Sequence, residues 1–359
     1  MTHSPLLTPY HSPSRSTADA LLPPSPEQPT ILTITPNPTI DRAIFVRHFR
    51  LGATVRGERE VVTPSGKGVA ASLVIHELGG DTVVSGLNAG HTGRLLVELL
   101  DDLGVPHDFM PTCGETRTAV VLVDRAVERQ STILAPTLMA TEDHLARLLA
   151  LLDRYAGRAW GVICGGSLPP GLPPDSHAHL LHHARQLGMI TLLDASGESL
   201  RRGVAGLPHV LKVNRDELAA LDPETAGRWG DAGDVVELAA RLADRLGAWA
   251  SDALIVTLGA RGTLAVTAEA CYHVQPPPVP VVSTAGAGDA LSGGLMLARS
   301  RDAGWPAALS LGTAAAASVV MNEGTGICRR EQVETLVPQV RWVSEDARGK
   351  DARGKDAGK

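Results

Sequence analysis

Short apolar runs alternate with longer stretches of helical period through the middle of this chain. The segments ILTITP from Ile31, AWGVICGG from Ala159, MITLLDAS from Met189, HVLKVN from His209 and ALIVTLG from Ala253 are apolar on both faces. Parallel strands covered by helices on either side have this composition. Between them GVAASLVIHELG, TGRLLVELLDDLG, DSHAHLLHHARQLG and DVVELAARLADRLG carry apolar residues at helical spacing and close on Gly, which takes the left-handed cap most easily. The repeated βα order predicts an α/β fold, a doubly wound, mostly parallel sheet with helices on both faces.

Two segments break the series. RAIFVRHFRLGATVRGEREVV (42–62) and RTAVVLVDRAVERQSTIL (117–134) alternate apolar and polar residues, the mark of half-exposed strands. They predict one small antiparallel sheet standing off the body as a lid over a cleft. Its outer face would be apolar, so a homodimer paired through this sheet is the expected assembly. The two ends are different again. Residues 1–29 are rich in Pro, Ser and Thr and read as a disordered leader, and 345–359 carry a charged DARGK repeat that reads as a solvated tail. One domain is expected over 30–340.

Composition narrows the function. With 43% hydrophobic and 20% charged residues, the 359-residue chain has enough apolar material for a sizeable core, which 3% aromatics leaves to Leu, Val, Ile and Ala. So few rings, with a net charge of -6, argue against a nucleic-acid partner. No apolar run reaches the roughly 18 residues of a membrane helix, so no membrane partner is expected. No secretory signal is evident, and Cys113, Cys164, Cys271 and Cys328 lie far apart without a CxxC pair. Free thiols in a reducing cytoplasm are the expectation.

The sharpest chemical signal is STAGAGDALSGGLMLARS from Ser283. A turn with Gly286 and Gly288 opens into an amphipathic helix with Asp289 in its first turn. Backbone N–H groups of such a turn converge on one anion, suitably a phosphoryl group, and a neighbouring carboxylate can take a proton from an attacking hydroxyl. ALIVTLGARGTLAV is a strand, a Gly-spaced turn and a second strand, suited to holding a nucleotide. LKVNRDEL sets Asn214 and Glu217 three residues apart on one helical face, oxygen ligands that suit a hydrated Mg²⁺ near phosphates. His177, His179, His182 and His183 lack an HExxH pattern and read as a polar helix face.

In this order the motifs resemble the PfkB family of carbohydrate kinases, in its 1-phosphofructokinase and tagatose-6-phosphate kinase branch, over about 31–337. The resemblance rests on TPNPTID at Thr35, SGKG at Ser65, TRTAVVLV at Thr116, GGSLPPG at Gly165, LDASGESL at Leu193, KVNRDEL at Lys212, TLGARG at Thr257, STAGAGD at Ser283 and EGTGIC at Glu323. It implies a ribokinase-like fold and an ATP- and Mg²⁺-dependent kinase acting on a sugar phosphate. Asp289 would be the general base, and the N–H groups of Ala285, Gly286, Ala287 and Gly288 the anion hole. Thr257, Gly259 and Gly262 would line the ATP site, and Asn214 and Glu217 would position the metal through water. Asp41 and Gly66 would meet the sugar, while Lys67 and Arg117 would bind a phosphate already on it.

The departures from the family pattern fall on the acceptor side. GGKGxN reads SGKGVA, with Ala70 at the sugar-contacting Asn. Ala135-Pro136-Thr137 replaces Pro-Gly-Pro, and GHTG at Gly90 lacks an acid often found there. Ser283, where most of the family has Asp, is common in the 1-phosphofructokinase branch. Two alternatives remain open: a kinase of an unphosphorylated sugar or a nucleoside on the same fold, and a non-catalytic sugar-phosphate sensor. Dependence of activity on Lys67 and Arg117 separates the first, and the retained Asp289 with its glycines argues against the second.

Overall fold

The computed structural model describes residues 29–127, 129–224 and 235–346. Its strands are β1 (Thr30–Thr35), β2 (Thr39–Val46), β3 (Arg59–Ser65), β4 (Thr82–Asn88), β5 (His107–Pro111), β6 (Arg117–Asp124) and β7 (Arg129–Leu134). There follow β8 (Ala159–Gly166), β9 (Ile190–Ala195), β10 (Val210–Asn214), β11 (Ala253–Thr257), β12 (Thr263–Thr267), β13 (Ala270–Gln275) and β14 (Arg341–Asp346). Ten of them form one sheet in the order β14-β13-β12-β11-β10-β9-β8-β1-β4-β5. From β11 to β5 every neighbouring pair is parallel, and β12, β13 and β14 extend the sheet antiparallel.

Successive residues of a strand point to opposite faces, and β1 shows why both faces had to be apolar. Leu32 joins one core cluster, with Leu148 and Leu151 of helix Glu142–Arg154 and Leu180 and Leu181 of helix Ser176–Gln186. Ile31 joins the other cluster, with Val74 and Ile75 of helix Lys67–Glu77, Leu295 of helix Ala287–Ser300 and Leu309 of helix Trp305–Met321. The glycines expected to close helices do so: Gly79, Gly104, Gly188 and Gly247 have φ between 68 and 89°. Among the described residues no helix is long and apolar enough to cross a membrane, and all four cysteines are free thiols.

Three expectations need correction. The small sheet has the order β3-β2-β6-β7, and its central pair β2–β6 is parallel; only the outer pairs are antiparallel. Each outer pair is a hairpin from a separate excursion of the chain, and both excursions leave the body in the same sense. Alternation along a strand reports its buried face and says nothing about the direction of its neighbour. The sheet also begins at Thr39 and reaches Ser65, beyond 42–62. Second, the domain runs past 340, because β14 pairs with the whole of β13 and takes in Glu345 and Asp346. A short charged edge strand is held by backbone bonds and needs no apolar pattern. Of the expected leader and tail, 1–28 and 347–359 lie outside the described residues. Third, His177 leaves the polar face: it is fully buried, and its Nε2 lies 3.1 Å from the Gly166 carbonyl oxygen, to which the neutral ring donates. Burial pulls its pKa down to about 4.

The strand order leaves a crevice. From β1 the chain runs outward to β5 and then returns to β8 on the other side of β1. Loops leaving the carboxyl ends of β1 and β8 therefore diverge, and ligands of such sheets bind at that switch point. The small sheet is entered from the end of β1, which hangs it over the crevice.

Helices Ala287–Ser300 and Trp305–Met321 cross beside it at backbone contact: a β-carbon on Gly294 would lie 2.9 Å from Cα of Gly312. Gly294→Ala should therefore lower the unfolding free energy by roughly 1–3 kcal/mol through overpacking, read by urea denaturation.

Candidate active site

A cavity of about 450 Å³ occupies the crevice. The body contributes Asn37 after β1, Gly166 and Ser167 at the end of β8, and Ala285, Gly286 and Asp289 at the start of helix Ala287–Ser300. The small sheet contributes Asp41 from β2 and Arg117 from β6, with Gly66 and Lys67 where the chain re-enters the body. Seven of the expected site residues thus meet in one space: Asp41, Gly66, Lys67, Arg117, Ala285, Gly286 and Asp289. Ala287, Gly288, Asn214, Glu217, Thr257, Gly259 and Gly262 do not line it.

Beneath the cavity lies a buried ion network. Asp194, at the end of β9 and 1% exposed, accepts from Lys67 Nζ at 2.6 Å on Oδ1 and from Lys212 Nζ at 2.6 Å on Oδ2, where Ser292 Oγ also donates at 3.1 Å. Lys67 Nζ donates a second bond to Glu217 Oε1 at 2.6 Å. Burial alone would push the Asp194 carboxyl up, but Lys212 and Lys67 outweigh it and hold it below the ordinary carboxylate range. Burial likewise opposes the charge on Lys67, and Asp194, Glu217 and Asp289 overcome it and raise its pKa. Lys67, expected to supply charge for a substrate phosphate, is paired with two carboxylates of the protein. Its charge is already balanced by the protein, and it brings one remaining N–H to the cavity.

Asp289 is half-buried at the cavity wall. Burial and the negative charge of Asp194 push its carboxyl up to about 7, against the pull of Lys212 and Lys67. The turn before it is tightly determined. Gly286 caps the helix at φ 83°, and a β-carbon there would stand 2.5 Å from the Gly326 nitrogen. Of the four N–H groups expected to form an anion hole, that of Ala285 goes to Ser283 Oγ at 3.3 Å and that of Ala287 to Thr284 O at 3.4 Å. Both bonds are long and local, and of the four residues Ala285 and Gly286 line the cavity. Lys212 Nζ stands only 2.8 Å from where a Gly288 β-carbon would be, so an ammonium group backs this helix start.

Asn214 and Glu217 form a reciprocal cap on helix Arg215–Leu221. Asn214 Oδ1 accepts from the Glu217 N–H at 2.9 Å, and Glu217 Oε2 accepts from the Asn214 N–H at 2.8 Å. Asn214 ends β10 directly beside Thr257 at the end of β11. The turn from β11 to β12 has open space around Gly259, whereas Gly262 (φ 91°) is required by the fold, because a β-carbon there would fall 1.9 Å from the Val274 oxygen.

Among the described residues, buried polar atoms at the acceptor end make no well-formed hydrogen bond: Asp41 Oδ1, Arg117 Nε and Thr325 Oγ1, the last beside the Asp41 carboxylate. Such atoms are costly unless a ligand satisfies them. Ser65 Oγ donates to the other Asp41 oxygen at 3.0 Å, and Arg117 Nη2 reaches the Asn37 carbonyl at 3.4 Å. Burial lowers the Arg117 pKa while Asp41 works the other way. The departures from the family pattern acquire structural meaning. Ala70 is fully buried under Gly326, whose added β-carbon would come within 3.0 Å of it. Thr137 Oγ1 donates to Asn37 Oδ1 at 2.5 Å. The helix at Gly90 receives its acid from elsewhere, since Glu115 accepts from the N–H groups of His91 and Thr92 at 3.1 and 3.0 Å. Glu323 clasps the small sheet to the body by accepting from Arg59 and Arg125, each at 2.6 Å.

Sequence reasoning passed over Asp194, Lys212, Ser292 and Thr325 as site residues. For the first two a signal existed. LDAS and LKVN each put a charge in an apolar strand, and a charge there must find a buried partner.

Residues 35–332 match the profile of the "pfkB family carbohydrate kinase". The chain is 30% identical to a 1-phosphofructokinase of Vibrio cholerae, over 87% of this chain and 96% of that protein. It is 29% identical to a tagatose-6-phosphate kinase of Staphylococcus epidermidis, over 74% and 84%. Among solved structures it is similar to phosphofructokinase-2 from Escherichia coli in complex with potassium, with a TM-score of 0.78 and 28% identity over 86% of this chain and 98% of that one.

Removing the central charge should be costly. Asp194→Asn leaves a buried Lys212 and a half-buried Lys67 ammonium group sharing one less anion, and the unfolding free energy should fall by about 3–5 kcal/mol, the usual result of breaking a buried pair on one side. Denaturant titration of the variant against wild type measures it.

Proposed function

The chain belongs to the pfkB family of carbohydrate kinases, and from that premise we propose that it phosphorylates a hexose phosphate, as a 1-phosphofructokinase-like enzyme. Transfer of a phosphoryl group from ATP to a sugar hydroxyl is the chemistry of the family. The observation that carries the finer reading is Arg117, a guanidinium in the cavity wall whose buried Nε has no hydrogen-bond partner among the described residues. A neutral acceptor would leave that group desolvated and unmatched, while a phosphate already on the sugar matches its fork.

In the proposed mechanism Asp41 accepts from sugar hydroxyls and Arg117 holds the existing phosphate. Asp289 takes the proton of the attacking hydroxyl as its oxygen bonds to the γ-phosphorus of ATP. The bond from that phosphorus to the β,γ-bridging oxygen breaks, and ADP leaves. The N–H groups at the start of helix Ala287–Ser300, backed by Lys212, stabilise the migrating group. A pKa of about 7 suits Asp289 to this task, because a base titrating near the working pH is both free and strong enough to accept the proton. ATP would lie along the open β11–β12 turn, with Thr257 and Gly259 at its edge. The bonds that Asn214 and Glu217 make to each other and to Lys67 do not fit direct ligation of Mg²⁺, but suit a hydrated cation held through its waters. Such a cation would neutralise phosphate charge. Half-exposed Ile44, Val120 and Leu122 with exposed Ile133 share the outer face of the small sheet, which supports pairing with a second copy there. Free thiols accord with a cytoplasmic setting.

Three outcomes test this reading. Asp289→Asn should retain the fold and ATP binding while turnover falls roughly 10²–10⁴-fold. The wild-type rate should drop below pH about 7 as the raised carboxyl takes up its proton, and a flat profile from pH 5 to 8 would remove Asp289 as the base. Arg117→Ala should weaken a phosphorylated acceptor by on the order of 30- to 150-fold and leave the ATP KM unchanged. Steady-state kinetics with fructose 1-phosphate, fructose 6-phosphate, tagatose 6-phosphate and the free sugars, reading ADP release, decides it. Preference for a free sugar, with Arg117→Ala silent, would sink the phosphate reading.

A further inference from the structure

We infer that Thr325 is a specificity-determining residue for the acceptor, its side-chain hydroxyl hydrogen-bonding one hydroxyl of the bound sugar. The inference rests on the sugar-phosphate kinase reading above. Thr325 is 5% exposed, it lines the cavity, and its buried Oγ1 makes no well-formed hydrogen bond among the described residues, its neighbour being the Asp41 carboxylate, on which it acts as a hydrogen-bonding group. A threonine held for packing alone has no use for a stranded hydroxyl, and valine would fill the same volume without the desolvation cost.

Its orientation is determined from both sides. The methyl carbon Cγ2 faces the Gly286 turn, 3.3 Å from where a β-carbon would be, which leaves the hydroxyl on another side of the same Cβ. The next residue, Gly326, is wedged between Ala70 and Gly286 and donates its N–H to the Ala285 carbonyl at 3.4 Å. On the other side Glu323 is bound by two arginines of the small sheet. A β-branched side chain on a loop held this way has little rotamer freedom.

The chemistry of the neighbourhood is complementary. Asp41 Oδ1 likewise makes no well-formed bond among the described residues, Asp41 lines the same cavity beside Thr325, and an ionised carboxylate only accepts. A threonine hydroxyl both donates and accepts, so the two together can satisfy a sugar hydroxyl that gives its proton to Asp41 and receives one from Thr325. The family pattern places an Asn at position 70, where this chain has a fully buried Ala. The small side chain lets Gly326 come close to it, and the 323–326 loop brings the Thr325 hydroxyl to the cavity.

The test compares Thr325→Val, which keeps the shape and removes the hydroxyl, with Thr325→Ser, which keeps the hydroxyl. The acceptor is the sugar phosphate that wild type turns over best. Thr325→Val should raise the acceptor KM by roughly 10-fold, the worth of one buried hydrogen bond left unmade. Thr325→Ser should stay near wild type, and the ATP KM should hold in both. Among monodeoxy analogues of that acceptor, the one lacking the contacted hydroxyl should be handled alike by wild type and Thr325→Val. An unchanged acceptor KM in Thr325→Val overturns the inference and leaves the kinase reading standing. So does a matching loss of ATP affinity, which marks a structural role. No turnover of any sugar phosphate by wild type would sink both.

Discussion

A carboxylate at the end of a strand covered on both faces has no water to solvate it, so it must be neutralised where it stands. Asp194 meets that constraint with two ammonium groups and a serine hydroxyl, drawn from three other elements. Lys67 ties in the helix that follows the small sheet, Lys212 ties in β10, and Ser292 ties in the helix that carries Asp289. The end of β9 therefore sets the mutual position of everything around the cavity. The same charge shapes the electrostatics. An anion already stabilised by both lysines makes a second anion beside it expensive, and with burial this lifts Asp289 towards neutrality.

The cavity itself is assembled by the small sheet. Its two hairpins leave the body at separate points of the chain and join through the parallel β2–β6 pair, whose register sets Thr39 against Arg117 and Asp41 against Ala119. That pairing carries a carboxylate and a guanidinium to one end of the space. Glu323, gripped by Arg59 of β3 and by Arg125 just past β6, closes the arrangement against the body. The acceptor side thus depends on contacts across the fold, while the β11–β12 turn is a local hairpin. The departures from the family pattern follow this division: they cluster where a site is built from several excursions, and the hairpin is unaltered.

Much of this was legible in the chain before its fold. Period and composition determined the parallel sheet, the faces of its helices and their glycine ends, because strands buried on both sides and helices buried on one admit few other patterns. The GAGD turn was legible for a similar reason: a left-handed residue ahead of a helix start is a local requirement, met by local sequence. The three-residue spacing of Asn214 and Glu217 was also legible, as a helical face.

What that spacing does was decided only by the fold. Cap and cation site have the same local signature, and the deciding partner of Glu217 is Lys67, 150 residues away. Asp194, 127 residues from Lys67, looked like one more polar residue at a strand end. The direction of β2 against β6, the run of the sheet into β14 and the placing of the Thr325 hydroxyl beside Asp41 share that origin. Local propensity and period are properties of neighbours along the chain. Charge neutralisation, strand partnership and the satisfaction of buried polar atoms are properties of neighbours in space, and those exist only once the chain has folded.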